Sequence, residues 1–131
     1  MGKLISKSAY QNARQCPKIA WMASHMPEKA SDAYLNKSLL GSGNEVGDLA
    51  MGMFGDFVEV EQTFDFKQMA GQTEALLRSE LERAASGHET SSVCEATFVD
   101  DGGCMCMADI VRLRGDGKLV VTEVKSSTKV K

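Results

Sequence analysis

Apolar and polar positions follow a helical period through the middle of the chain, from about Phe66 to Ser86. Residues three and four apart lie on one side of a helix, so charged side chains such as Glu74 and Arg78 can pair on the side opposite the apolar one. The apolar positions are Met69, Leu76, Leu77, Leu81, Ala84 and Ala85. Gly87 is a typical residue for a helix end. The pattern predicts one long amphipathic helix.

Shorter helices are predicted before the long one. Ser6 and Ser8 precede a short helical stretch, and Pro17 suits the first position of a helix over about 17–25, which would carry Trp21 into the core. Apolar residues spaced three and four apart predict a third short helix. They are Val46, Leu49, Ala50, Met53 and Phe54.

Three strands are predicted after the long helix, at Val93–Val99, Cys104–Leu113 and Lys118–Lys125, with glycine-containing turns at 100–103 and 115–117. Strands joined by short turns of this kind form an antiparallel meander. Helices first and strands last indicate an α+β fold, in which N-terminal helices pack on a small antiparallel β-meander.

Length and composition are those of one globular domain. A chain of 131 residues, 43% hydrophobic and 25% charged, can bury one core, so we expect a single domain spanning 1–131. No apolar run is long enough for a membrane span, and the N-terminus lacks the pattern of a signal peptide. We therefore expect a cytoplasmic protein with reduced cysteines and no membrane contact.

The charges are distributed unevenly around a formal net charge of -3. Residues 1–37 carry six Lys or Arg and two acids, residues 38–101 carry three and thirteen, and residues 102–131 carry six and three. Basic ends around an acidic middle could meet phosphate groups at one edge of the fold. Solvated charged faces often give the same counts, so the distribution alone favours neither interpretation.

The register of the second hairpin decides whether two acids on neighbouring strands can meet. If the turn at 115–117 is a three-residue loop with Gly117 in the left-handed conformation, Val111 faces Val121 and Asp109 faces Glu123, with their Cβ atoms about 5 Å apart. A two-residue turn would place the acids on opposite faces. We expect the longer loop, with both acids beside an apolar face that includes Val121.

Paired carboxylates at the edge of a core are costly unless a cation neutralises them. Asp109 and Glu123 would supply hard oxygen ligands for Mg²⁺ or Mn²⁺, and Lys125 would align a water nucleophile and stabilise developing charge. Glu95 would be a further metal ligand if the first hairpin has a five-residue loop, and pairing with Arg112 is an equal alternative. The spacing Asp followed by Glu-x-Lys is loose, and many such patterns are surface ion pairs.

Further segments in chain order make the pattern more specific. They are Ile5-Ser6-Lys7-Ser8, Gln15-Cys16-Pro17 with Trp21, Gly43-x-x-Val46-Gly47-Asp48-Leu49-Ala50 with Phe54, Glu95-Ala96-Thr97-Phe98, Asp109-Ile110, and Glu123-Val124-Lys125-Ser126-Ser127-Thr128. In this order they resemble the RecB-like nucleases of the PD-(D/E)XK class, which are related to CRISPR-associated exonucleases.

The resemblance implies a restriction-endonuclease-like core that hydrolyses DNA. It implies that Asp109, Glu123 and the Val124 carbonyl bind the metal and that Lys125 serves the attacking water. Gly47 stands where many of these nucleases have a metal-binding histidine, so Asp48, Glu45 or Glu95 would supply another oxygen or the site would be weaker.

The helix that usually follows the Glu-x-Lys strand is absent, because the sequence ends at Lys131. The core is therefore expected to be truncated at its C-terminus, with an uncovered strand edge that invites a homodimer. Some relatives bind an iron-sulfur cluster through four cysteines. Only the N-terminal one of these has a counterpart in this chain, which is Cys16.

Two rival functions stay open. One is a catalytically inactive module with the nuclease fold that binds nucleic acid or a protein partner. The other is a structural zinc site built on Cys104 and Cys106, although no second close cysteine pair completes a tetrahedron.

Overall fold

The computed structural model of the chain describes residues 4–29 and 37–126, so Ser127 and Thr128 of the sequence motif lie outside the described residues. The described chain combines four α-helices and five strands in a mixed α and β architecture. In chain order the elements are β1 (Ile5–Ser6), α1 (Lys7–Gln15), α2 (Pro17–His25), a 3₁₀ turn (Pro27–Lys29), α3 (Lys37–Met51), a 3₁₀ turn (Gly52–Phe54), β2 (Phe57–Glu59), α4 (Phe66–Ala85), β3 (Ser92–Val99), β4 (Cys104–Leu113) and β5 (Leu119–Thr122).

The chain divides into two compact units. The first holds the N-terminal segment, with β1, α1 and α2, together with residues 99–106. In this unit β1 runs parallel to the start of β4, with Ile5 opposite Cys104. Ser6 caps α1, because its Oγ accepts the Ala9 backbone N–H at 3.1 Å. Pro17 then begins α2 in its first turn, as predicted.

The second unit contains the rest of the described chain and the larger part of the sheet. Here β2 runs parallel to β3, with Glu59 opposite Cys94, and β5 runs antiparallel to β4. Strands β3 and β4 are neighbours joined by only four residues, 100–103, and so short a connection requires an antiparallel pair. The three predicted strands are present, although β5 ends at Thr122 and Glu123 and Lys125 lie beyond it. The predicted small antiparallel meander is part of a mixed sheet to which β1 and β2 add parallel pairings.

Helix α4 matches the predicted long helix within one residue at its end. Its first turn is capped by Asp65, whose Oδ1 accepts the backbone N–H groups of Lys67 and Gln68 at 3.0 and 3.1 Å. Gly87, with φ of 77°, follows its last turn. Helix α3 begins at Lys37, before the start that the apolar spacing had indicated. No helix within the described ranges combines the length and the apolar character that crossing a bilayer requires.

Two clusters of buried side chains form the core of the second unit. One joins α4 to the sheet, and its buried members are Val60, Met69, Val93, Ala96, Ala108 and Val111. The other joins the end of α3 to the sheet through Met51, Cys94 and Ile110, with Val124 packed against it. Residues from β3 and β4 take part in both clusters, so these two strands are covered on both faces.

Two burial predictions were wrong. Trp21 is 54% exposed, so α2 does not carry it into a core. On β5, Leu119 and Val121 are 49% and 60% exposed. The side chain that packs against the core here is that of Val124, two residues after the strand ends. Alternation along a strand assigns residues to one side or the other, but the side that is covered depends on which helix lies against it.

The second hairpin has the predicted register. Val111 lies opposite Val121 and Leu113 opposite Leu119. The backbone N–H of Arg114 donates to the Lys118 carbonyl at 2.7 Å, which closes the three-residue loop, and Gly117 has a left-handed φ of 79°. The longer loop is therefore confirmed, and the pairing positions the segment after β5 against β4.

A matched pair of glycine substitutions tests this loop. Gly117→Ala should lower the free energy of unfolding by about 1 kcal/mol, because a Cβ is disfavoured at positive φ. Gly115→Ala in the same loop is the control, since Gly115 is not among the positive-φ glycines and an added Cβ meets nothing within 4 Å at either position. Urea unfolding of the three proteins measures the difference, and equal effects of the two substitutions would contradict the assigned loop.

Candidate functional site

Asp109 contacts the segment that follows β5. The regular ladder ends with Ile110 opposite Thr122, and one further step brings Asp109 to the level of Glu123. Beyond the ladder, Asp109 Oδ2 accepts the Val124 backbone N–H at 2.5 Å. The side chain of Asp109 thus replaces the next backbone bond and holds the Glu123–Lys125 segment beside β4.

Glu123 and Lys125 form an ion pair at the surface. Lys125 Nζ donates to Glu123 Oε1 at 2.5 Å, and the two side chains are 69% and 35% exposed, respectively. A pair this exposed contributes at most about 1 kcal/mol, so either group can exchange its partner for a bound ion or a phosphate at little cost. Glu123 and Lys125 thus flank Val124, whose backbone contacts Asp109, and are paired with each other.

Glu95 lies at an irregular point of β3. Its φ of 55° is the only positive value among the non-glycine residues of the described chain. Val93 and Ala96, three positions apart, belong to the same buried cluster, whereas Cys94 belongs to the other. A regular strand alternates faces at every residue, so this change of parity indicates a β-bulge at Glu95.

A buried threonine supports the strand beside this bulge. The Thr97 backbone N–H donates to Thr73 Oγ1 on α4 at 2.8 Å, and Thr73 Oγ1 donates to the Met69 carbonyl at 2.9 Å. Both threonines are 1% exposed. The donor of Thr97 is therefore satisfied by a helix side chain.

The carboxyl group of Glu95 lies among other acids. Burial, and then the negative charges of Asp109, Glu59 and Asp48, raise the pKa of Glu95 above its usual value. Gln62 Nε2 donates to Glu95 Oε2 at 3.3 Å. The three neighbouring acids come from three different segments of the second unit, β4, β2 and α3, so the fold concentrates negative charge around one half-buried carboxyl group.

Strand β4 begins at Cys104 as predicted, so four residues, 100–103, join it to β3, and not the five-residue loop on which Glu95 as a metal ligand depended. The Asp100 backbone N–H donates to the Cys104 carbonyl at 2.9 Å and closes the turn, and the negative charge of Asp109 acts on Glu95. The alternative pairing of Glu95 with Arg112 is not what the structure shows. The guanidinium of Arg112 lies 3.6 Å above the centroid of the Phe54 ring.

Asp48 is one of the three acids expected to substitute for the missing histidine, whereas the sequence did not predict a role for Glu59. Glu59 belongs to β2, whose three residues pair with β3. The alternation Val58-Glu59-Val60 was the available signal, but three residues are too few to distinguish a strand from a loop. Glu45 is exposed and is not among the charges that act on Glu95.

The cysteines do not form a zinc site within the described residues. Burial, followed by the charges of Glu59 and Glu95, raises the pKa of the Cys94 thiol to about 11, so the thiol is protonated at neutral pH. Cys104 and Cys106 are exposed. Across residues 4–29 and 37–126, no three His, Cys, Asp or Glu side chains are placed to hold one metal ion, and this applies to the acids around Glu95 as well.

In comparisons with known proteins, no family model, no curated protein and no solved structure matches the chain.

The support that Thr73 gives to β3 can be tested by removing one hydroxyl. Thr73→Val keeps the shape of the side chain but leaves the buried Thr97 N–H without an acceptor, which should lower the free energy of unfolding by about 1–3 kcal/mol. Thr73→Ser retains the hydroxyl and should be closer to the parent. Denaturant unfolding measures all three proteins, and a Thr73→Val variant as stable as the parent would contradict the role of this bond.

The raised pKa of Glu95 has a consequence for stability. A carboxyl group whose pKa is higher in the folded state favours folding when protonated, and this contribution is lost as pH rises through the folded pKa. Glu95→Gln should therefore stabilise the metal-free protein more at pH 8 than at pH 4. Thermal unfolding in EDTA measures this, with Glu82→Gln on the exposed side of α4 as the control. If Glu95→Gln raised the thermal stability equally at both pH values, the ionised Glu95 carboxyl group would not be destabilised by its surroundings, which would contradict this prediction.

Proposed function

We propose that the chain is a divalent-metal-dependent nuclease that hydrolyses DNA phosphodiester bonds, a RecB-like member of the PD-(D/E)XK class with a restriction-endonuclease-like core. Asp109, Glu123 and Lys125 are its catalytic residues, and Glu95 and the Val124 carbonyl complete the metal ligands. The observation that carries the proposal is the register of the second hairpin, with the 2.5 Å bond from Val124 N–H to Asp109 Oδ2.

The donor set fits Mg²⁺ or Mn²⁺ in its chemistry. Carboxylate and carbonyl oxygens are hard ligands, which these ions prefer over the softer sulfur and imidazole groups. Burial and, after it, repulsion from the surrounding acids raise the pKa of Glu95. A divalent cation among them would relieve this repulsion, so the same feature that disfavours the ionised apo site favours metal binding.

When bound, the metal would polarise a phosphoryl oxygen and acidify a water molecule. The protein groups have separate tasks. Asp109 and Glu123 would hold the ion, and the bond from Val124 N–H keeps the Asp109 carboxylate in place. Lys125, released from Glu123, would donate to the attacking water or to the charge that develops on the phosphate. The weak, exposed pairing of Lys125 with Glu123 is compatible with this exchange.

A second candidate is a catalytically inactive module that binds nucleic acid. Its support is that Glu123 and Asp109 already have protein partners, Lys125 Nζ and the Val124 backbone N–H. If those partners are retained, the two acids have less capacity for a metal. The predicted homodimer and the cytoplasmic location stay predictions.

A cleavage assay with paired controls tests the nuclease proposal. The purified protein should degrade DNA with added Mg²⁺ or Mn²⁺ and not in EDTA. Asp109→Ala and Lys125→Ala should each lower the rate by at least about 100-fold, because each removes a group that stabilises charge in the transition state. Asp101→Ala and Lys118→Ala remove exposed residues of the same charge from the two hairpin turns and should leave the rate unchanged.

Circular dichroism on every variant confirms that loss of activity is not loss of folding. Full activity in Asp109→Ala or Lys125→Ala would exclude the assigned catalytic residues. A folded parent protein that cuts no DNA with either metal would exclude the enzyme and select the inactive module.

A further inference from the structure

Helix α2 presents two stacked aromatic rings to solvent. The rings of Trp21 and His25 lie with their centroids 4.7 Å apart and their planes 9° from parallel. His25 Nδ1 hydrogen-bonds to the Trp21 carbonyl at 2.9 Å, which fixes the imidazole over the last turn. Trp21 is 54% exposed, and His25 is exposed as well. A large apolar ring held rigidly in water is unusual, because most tryptophans are largely buried.

A lysine lies on the same side of the helix. Lys18 precedes Trp21 by three residues, and residues at spacings of three and four share one side of a helix. The axial separation is about 4.5 Å at 1.5 Å per residue. Lys18 is exposed. An ammonium group at this separation can reach a phosphate on either side of a base that stacks on Trp21.

The helical segment is also positively charged, in contrast to the whole chain. Residues 4–29 carry four Lys or Arg and one acid, Glu28, whereas the complete chain has a formal net charge of -3. The first unit also includes the acids Asp32, Asp100 and Asp101, and the last two belong to the hairpin turn between β3 and β4. The segment that holds the two rings is therefore complementary in charge to an anionic partner, and its rings can stack on flat groups of that partner.

We propose that Lys18, Trp21 and His25, the α2 platform, bind single-stranded nucleic acid by stacking an unpaired base on the aromatic pair and contacting its phosphate with Lys18. Every base has a flat π face, so stacking of this kind tolerates sequence variation. Paired bases in a duplex are stacked on each other and do not offer that face. The inference goes beyond the proposed nuclease activity, because the α2 platform requires neither metal nor catalysis.

Trp21 is the only tryptophan in the chain, so its fluorescence reports directly on the α2 platform. The experiment uses the full-length Asp109→Ala protein in EDTA, which excludes cleavage. Titration with a short oligothymidylate should quench the emission. Inorganic polyphosphate, which has the charge without bases, and a duplex of equal length should quench it much less.

Anisotropy of a labelled oligothymidylate then measures affinity in variants. Trp21→Ala should weaken binding about tenfold, which corresponds to loss of one stacked base, and Trp21→Phe should retain most of the affinity. Lys18→Gln should lower the slope of log affinity against log salt by about 0.7, the value for one phosphate of a single strand. Phe64→Ala is the matched control, because Phe64 is fully exposed outside α2.

Three results would overturn the α2 platform. One is bound oligothymidylate with unchanged Trp21 emission, and another is Trp21→Ala binding as tightly as the parent. The third is a change of emission with protein concentration alone, which would assign the surface to a second copy of the chain. Binding in the Asp109→Ala background is independent of cleavage, so failure of the nuclease proposal leaves these readouts unaffected.

Discussion

The candidate site depends on the three-residue loop that joins β4 to β5. A strand alternates faces with a period of two, so a loop one residue shorter would move every β5 side chain to the opposite face. Gly117 permits the longer loop through its left-handed backbone, and the resulting register ends with Ile110 opposite Thr122. The side chain of Asp109 then continues the pairing through Val124. One glycine conformation thus determines which groups adjoin Asp109.

A second constraint is the concentration of negative charge around Glu95. The bulge turns this residue out of the regular alternation, and burial together with Asp109, Glu59 and Asp48 disfavours its ionised form. Either a proton or a cation relieves that repulsion. Stability of the apo protein and affinity for a divalent ion are therefore linked through the same carboxyl group, because a bound cation favours the ionised form that folding alone disfavours.

Local signals predicted much of the fold. Helix α4 was evident because apolar spacing and a following glycine act within a few residues, and the register of the second hairpin followed from its turn. Strands β1 and β2 were missed because two or three residues carry no pattern of their own and become strands only through partners far along the chain.

The site was predicted less completely, for the same reason. The positions of Asp109, Glu123 and Lys125 follow from one hairpin, whereas the surroundings of Glu95 depend on β2, on α3 and on a bulge that no glycine marks in the sequence. The exposure of Val121 and Trp21 could not be predicted either, because periodicity identifies the residues that share a face but not the element that covers it.

A crystal of the protein soaked in Mn²⁺ tests whether Asp109 and Glu123 bind a metal ion, because anomalous scattering locates the ion without assuming its ligands. One strong peak is expected at bonding distance, about 2.0–2.3 Å, from oxygens of Asp109 and Glu123, with Lys125 displaced from Glu123. An ordered β4–β5 hairpin with no peak at these carboxylates, or with manganese bound only elsewhere, would contradict this expectation.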